Sequence, residues 1–287
     1  MINAFKTFLC YSSIWIAICA YSLCIITLLS FEITIEEAIL HPSSIIVLGG
    51  TLIIYSIHNL YKSILPTNNH YTNRQTWSKK NKYTILSLLI IGGILCIYHL
   101  PHLTIENILV ICILGGISTL YTLPLWIGKI HLMPLRQYGL IKPFLLALVW
   151  IGVTVLFPLT FLNITIQDIQ SSIIIEWLYR TYMMLLLCII FDIKDKKIDN
   201  YNNIHTLAVR FPKQLNITLN TINIGISILM VFIYLHLHAI KILPYLIASC
   251  CLLNIIQASN KPQNELFFVW NVDGIIFLYS LIMYLWL

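Results

Sequence analysis

The chain has 287 residues, of which 59% are hydrophobic and only 10% charged, with a formal net charge of +6. A soluble domain carries about 25% charged residues, so the composition excludes an ordinary soluble globule and points to an all-α membrane protein. The basic excess does not point to nucleic acid as a partner, because the lysines and arginines are dispersed in loops between apolar runs.

In chain order, nine apolar segments approach the ~20 residues that a helix needs to cross a bilayer. They cover residues 8–30, 43–62, 83–100, 105–126, 142–163, 173–192, 216–236, 239–258 and 267–287. The first follows a single lysine, Lys6, and has no small-residue cleavage site. It is expected to be a retained span, not a removed signal peptide. His41-Pro42, Pro101 and Leu243-Pro244 mark short turns. The eight cysteines (Cys10, Cys19, Cys24, Cys96, Cys112, Cys188, Cys250 and Cys251) lie inside apolar runs without a C-x-x-C pair. They read as small buried hydrophobes. No repeat of 20–50 residues is evident, and one domain covering 1–287 is expected.

Nine alternating spans would put 15 of the 17 basic residues on one side. These are Lys6, Lys62, Arg74, Lys79, Lys80, Lys82, Lys129, Arg136, Lys142, Lys194, Lys196, Lys197, Arg210, Lys213 and Lys261. The other side would hold Lys241 and Arg180, with Glu32, Glu36, Glu37, Glu106, Asp168 and Glu176. Positive charge marks the cytoplasmic face. The N-terminus and the long loops 63–82 and 193–215 are therefore expected in the cytoplasm.

The polar stretch from Phe191 to Lys213 concentrates chemistry where an apolar run meets water. Offsets of three and four place Asp192, Asp195 and Asp199 on one helical face. Two readings stay open. The interleaved Lys194, Lys196 and Lys197 can pair with the aspartates on a solvated face. Alternatively, the trio holds a hard ion such as Mg²⁺, which bridges carboxylates to substrate phosphates. Lys142, at a helix N-terminus, and Arg136 before it are either an anion clamp or topology signals. Arg210 fits phosphate or lipid headgroups.

Asp273 is an intramembrane acid, by default a functional candidate, or else a helix-start acid stabilised by the dipole. Glu265 reads as a helix-start acid. His99-x-x-His102 and His236-x-His238 read as interfacial, since a metal would need further ligands. Tyr121, Tyr182 and Trp150 can line an acceptor pocket or serve as belt and packing residues. The absence of G-x-x-x-x-G-K-[ST], G-x-G-x-x-G and H-E-x-x-H leaves nucleotide-driven chemistry and zinc hydrolysis without support.

The run Asp192-Ile-Lys-Asp195-Lys-Lys-Ile-Asp199, followed by Ile204-His-Thr-Leu-Ala-Val-Arg-Phe-Pro-Lys213, resembles a motif of the UbiA superfamily of intramembrane prenyltransferases. It matches their second aspartate motif, D-x-x-D-x-x-x-D, and the T-L-x-V segment after it. Residues 121–150 are similar to the region around the family's fourth and fifth spans, and the likeness extends over essentially the whole chain. The resemblance implies a nine-helix bundle with a cytoplasmic N-terminus. It implies Mg²⁺-dependent transfer of a polyprenyl group from its diphosphate to an aromatic or other lipophilic acceptor. Asp192, Asp195 and Asp199 would be catalytic metal ligands, and Asn59, Lys62, Arg74, Arg136 and Lys142 would contact the diphosphate.

The family's first aspartate motif is expected in Tyr55-Ser-Ile-His-Asn-Leu-Tyr-Lys-Ser63, yet no Asp or Glu occurs between Glu37 and Glu106. Asn59 would be a neutral ligand there, and Lys62 and Arg74 could neutralise phosphate directly. This departure keeps a second reading open: a catalytically degenerate relative acting as a lipid-binding or scaffold protein. A transporter would call for more charge at mid-membrane and for broken helices.

Overall fold

The computed structural model describes residues 2–64, 72–127, 130–162, 164, 167, 169–237 and 241–287. Lys129, Asp168 and His238, which entered the sequence reading, lie outside the described residues. The helices are α1 (Ile2–Tyr11), α2 (Ile14–Leu29), α3 (Ile35–Leu40), α4 (Pro42–Ile64), α5 (Asn73–Lys80), α6 (Lys82–His99) and α7 (Ile105–Thr122). After a small antiparallel hairpin, β1 (Leu125–Ile127) with β2 (Ile130–Leu132), come α8 (Lys142–Leu159), α9 (Ser171–Tyr201) and α10 (Leu207–Arg210). The chain continues through α11 (Leu215–Leu237), α12 (Leu243–Ser259) and α13 (Glu265–Trp286).

Among the described residues, seven helices are long and apolar enough to cross a membrane: α4, α6, α7, α8, α9, α11 and α13. The protein is a multi-pass integral membrane protein. The expected count of nine is not confirmed: among the described residues seven helices qualify, or eight if α1 and α2 form one bent span. The expected first span is two helices, α1 and α2, meeting at 69°. The expected eighth is α12, with 17 residues. The expected loop 193–215 also differs, because α9 continues as helix to Tyr201 and carries all three aspartates.

No glycine or proline explains the bend before α2. Ser13 adopts a left-handed backbone, φ 71°, which costs a non-glycine residue about 1–3 kcal/mol. The position is held by its side chain, whose Oγ accepts from Asn59 Nδ2 and Arg74 Nη2, both at 2.9 Å.

Helices α6 and α7 lie at the periphery, with Ile90, Ile94, Ile97 and Ile113 exposed as lipid-facing residues should be. The interior is built from α2, α9, α12 and α13, where Leu23, Met183, Ile190, Leu252, Ile256 and Tyr279 pack together. Gly49 of α4 faces Gly92 of α6. A Cβ on either would lie 2.8 or 2.7 Å from the other's carbonyl oxygen, so the two backbones touch as small residues allow.

Two π turns, Gly152–Leu156 in α8 and Phe268–Val272 in α13, break the regular ladder. Such turns leave backbone groups for other partners. Thr154 O accepts from Thr27 Oγ1 at 2.7 Å and from Arg180 Nη1 at 3.3 Å, and Trp270 O accepts from Trp15 Nε1 at 3.3 Å.

Arg180 and Glu176 are not outer-face charges, as the charge pattern had them, but an ion pair at 2.7 Å inside the bundle. Arg180 is fully buried and also donates to Leu23 O and Thr27 Oγ1. Tyr279 Oη donates to Glu176 Oε1 at 3.0 Å.

Candidate active site

The acids stand on the last three turns of α9. The helix continues past the apolar run to Tyr201. It stops where Asn203 turns left-handed, φ 55°, and Ile204 N–H donates to Asp199 O at 2.8 Å. The following backbone is pinned by Gly139: a Cβ there would fall 2.6 Å from the His205 carbonyl carbon. This contact holds the stretch carrying Arg136, and the start of α8 at Lys142, against the acidic end of α9.

Lys142 Nζ therefore sits between two of the acids, 2.7 Å from Asp192 Oδ1 and 3.3 Å from Asp199 Oδ2. Asp195 stands apart, 3.5 Å from Lys194 Nζ, with its side chain 35% exposed. Asp192 is almost fully buried, and its Oδ2 has no hydrogen-bond partner among the described residues.

Helix α4 carries Tyr55, His58, Asn59 and Lys62, and α5 carries Arg74. Asn59 Nδ2 donates to Tyr11 O at 3.2 Å as well as to Ser13. The amide read as a ligand is thus partly a strut for the α1–α2 bend. Arg74 is anchored too, its backbone N–H donating to Glu265 Oε2 at 3.0 Å. Lys62 faces Arg136, Asp195, Lys194 and Arg74 electrostatically, and Asp195 faces Lys194, Lys142 and Lys62. Arg136 also acts on Asp199. The three aspartates, Lys62, Arg74, Arg136 and Lys142 are thus linked electrostatically, and Asn59 joins Arg74 through their shared acceptor Ser13.

Lys62 and Asp195 are each partly exposed. So are Tyr55 and Tyr121.

Among the described residues, no three acidic, histidine or cysteine side chains are grouped so as to hold a metal by themselves. Mg²⁺ needs no such cage. It keeps waters and takes one or two carboxylates together with substrate phosphates. The orphaned, buried Asp192 Oδ2 and the accessible Asp195 carboxylate fit that requirement.

No family model matches the chain, and no curated protein matches it. Two solved structures do. One is a digeranylgeranylglyceryl phosphate synthase, at 18% identity over 99% of this chain and 100% of that one, with a TM-score of 0.52. The other is a UbiA homolog from Archaeoglobus fulgidus bound to GPP and Mg²⁺, at 11% identity over 98% of each chain, with a TM-score of 0.54. The fold is that of the UbiA prenyltransferases.

Within this UbiA fold, Ser13 is a participant that the sequence did not single out, and Glu265, Lys194 and Asp273, which it did, join it. Ser13, Glu265 and Lys194 orient or surround the charged groups, and Asp273 faces Arg74, Lys194 and Tyr55. Asp273 is buried, and no cation among the described residues lies within 4 Å of it. Lys194 was legible inside the motif, whereas no local signal ties Ser13 or Glu265 to α5. Tyr121 lies near Asp192, Asp195 and Arg136. Tyr182 instead donates to Asn223 Oδ1 at 2.7 Å, which is a packing role. Arg210 is exposed on its short helix.

Proposed function

We propose that the chain is a Mg²⁺-dependent prenyltransferase that moves a polyprenyl group from its diphosphate to an aromatic or other lipophilic acceptor. The observation that carries this reading is the meeting of Asp192, Asp195 and Asp199 with Lys62, Arg74, Arg136, Lys142 and Lys194 inside an apolar bundle. Asp192, Asp199 and Lys142 are buried and the other five partly exposed, a concentration of charge that a bound ligand would help to balance. The UbiA fold, and a neighbour bound to GPP and Mg²⁺, support the same ligand.

Asp192 and Asp195 would hold Mg²⁺, with Asp199 beside them. The ion, when bound, supplies positive charge to the leaving diphosphate. Lys62, Arg74, Arg136 and Lys142 supply fixed positive charge at the same place. Being preorganised, they need not reorganise as the allylic C–O bond breaks and its electron pair leaves with the diphosphate. The surrounding helices keep water from the electron-poor carbon. The acceptor's nucleophilic atom then bonds to that carbon and releases its proton.

The basic-residue pattern supports a site opening to the cytoplasm. A bilayer-embedded isoprenoid tail would lie among the helices, and residues 1–287 act as one unit.

The test is turnover by the purified chain in lipid nanodiscs. It is supplied with Mg²⁺, prenyl diphosphates of several lengths and pools of lipophilic acceptors, with products read by mass spectrometry. Asp192→Ala with Asp195→Ala should abolish transfer while the protein stays folded. Retained turnover would rule out this site. The missing acids on α4 favour a second reading, a lipid-binding or scaffold protein, and binding of prenyl diphosphate without product from any acceptor pool would support that alternative.

A further inference from the structure

The α4–α5 wall has a chemistry of its own. Residues 38–105 contain no Asp or Glu. Lys62 has three cationic neighbours, Arg136, Lys194 and Arg74, against one acid, Asp195. Among the described residues no carboxylate comes within 4 Å of its ammonium group. Arg74 is fixed by Ser13 and Glu265, yet its Nε is buried without a hydrogen-bond partner. His58 Nε2 is likewise buried and unpartnered.

Like charges gathered in a bundle interior repel each other unless an anion lies among them. A divalent cation on this wall would meet Lys62 and Arg74, and neither helix itself carries a carboxylate to hold it. Phosphate oxygens would find an ammonium group and a guanidinium already held by Ser13, the donors that charge-assisted bonds need.

We infer that the α4–α5 wall is a metal-free phosphate seat, in which Lys62 and Arg74 contact the diphosphate directly and the site's dependence on divalent ions comes from α9 alone. This rests on the proposed function for the identity of the ligand.

The experiment measures binding of geranyl S-thiolodiphosphate, whose C–S bond resists ionisation, to the full chain in nanodiscs with Mg²⁺ or with EDTA. The wild-type chain should bind in EDTA, more weakly than with Mg²⁺. Lys62→Ala should weaken the EDTA-resistant binding about 10- to 100-fold, the loss of one charge-assisted bond, and Lys62→Arg should retain it. Lys62→Asp should bind only when Mg²⁺ is present. Thermal unfolding of each variant separates loss of binding from loss of fold.

Wild-type binding seen only with Mg²⁺ overturns this inference and leaves the proposed function standing. EDTA-resistant binding that Lys62→Ala leaves unchanged also overturns it. Absence of binding under either condition overturns both.

Discussion

Lys142 Nζ lies 2.7 Å from Asp192 Oδ1, joining the first residue of α8 to the interior of α9. Both residues are buried, and the same ammonium group reaches Asp199. Without it, Asp192 would face Asp199 with no ion-pair partner of its own among the described residues. Lys142→Met should therefore destabilise the protein by about 3–5 kcal/mol, the usual cost of stripping one partner from a buried pair. Adding Asp192→Asn should recover part of that loss. Thermal unfolding of the single and double variants in detergent measures both effects.

The Glu176–Arg180 pair makes a parallel case away from the site. Arg180 is held by Glu176, Leu23 O, Thr27 and Thr154 O, so its truncation strands several acceptors. Arg180→Met should cost about 3–5 kcal/mol. Because the pair is buried, added salt should barely change the wild-type midpoint.

At the α4–α6 crossing the limit is steric. Gly92→Ala places a methyl group against the Gly49 carbonyl and should cost about 1–3 kcal/mol through forced separation of the helices. Gly93→Ala, whose Cβ meets nothing within 4 Å, should be neutral or slightly stabilising. Comparing their unfolding midpoints isolates the contact.

Ser13 combines strain with recognition. Ser13→Gly removes the backbone cost but also the oxygen that accepts from Asn59 and Arg74. Ser13→Ala keeps the strain and loses the acceptor. Ser13→Ala should destabilise by about 1–3 kcal/mol, the penalty of unsatisfied buried donors, and Ser13→Gly by less. The reverse order in thermal unfolding would show that the oxygen contributes little.

The parts of this architecture that were legible in the sequence are those written in local periodicity. Apolar runs located α4, α6, α7, α8, α11 and α13, and the start of α9, to within a few residues. The spacing of Asp192, Asp195 and Asp199 identified a special helix face. Three features escaped because tertiary contacts decide them. The bend at Ser13 depends on Asn59 and Arg74, which lie 46 and 61 residues away. The helical continuation to Tyr201 runs through charged residues that also read as loop. Glu176 and Arg180 had the i, i+4 spacing of a pair, but counting them as topology signals obscured it. The UbiA-type motif on α9 was legible. The sequence also showed that the acids expected in Tyr55–Ser63 are absent, with His58, Asn59 and Lys62 there instead.

The most direct test of the central claim is a structure of the protein with geranyl S-thiolodiphosphate and Mn²⁺ as an anomalous substitute for Mg²⁺. The account predicts an anomalous peak against Asp192 and Asp195, with the diphosphate spanning from there to Lys62 and Arg74. A diphosphate bound elsewhere, or manganese remote from α9, would contradict it.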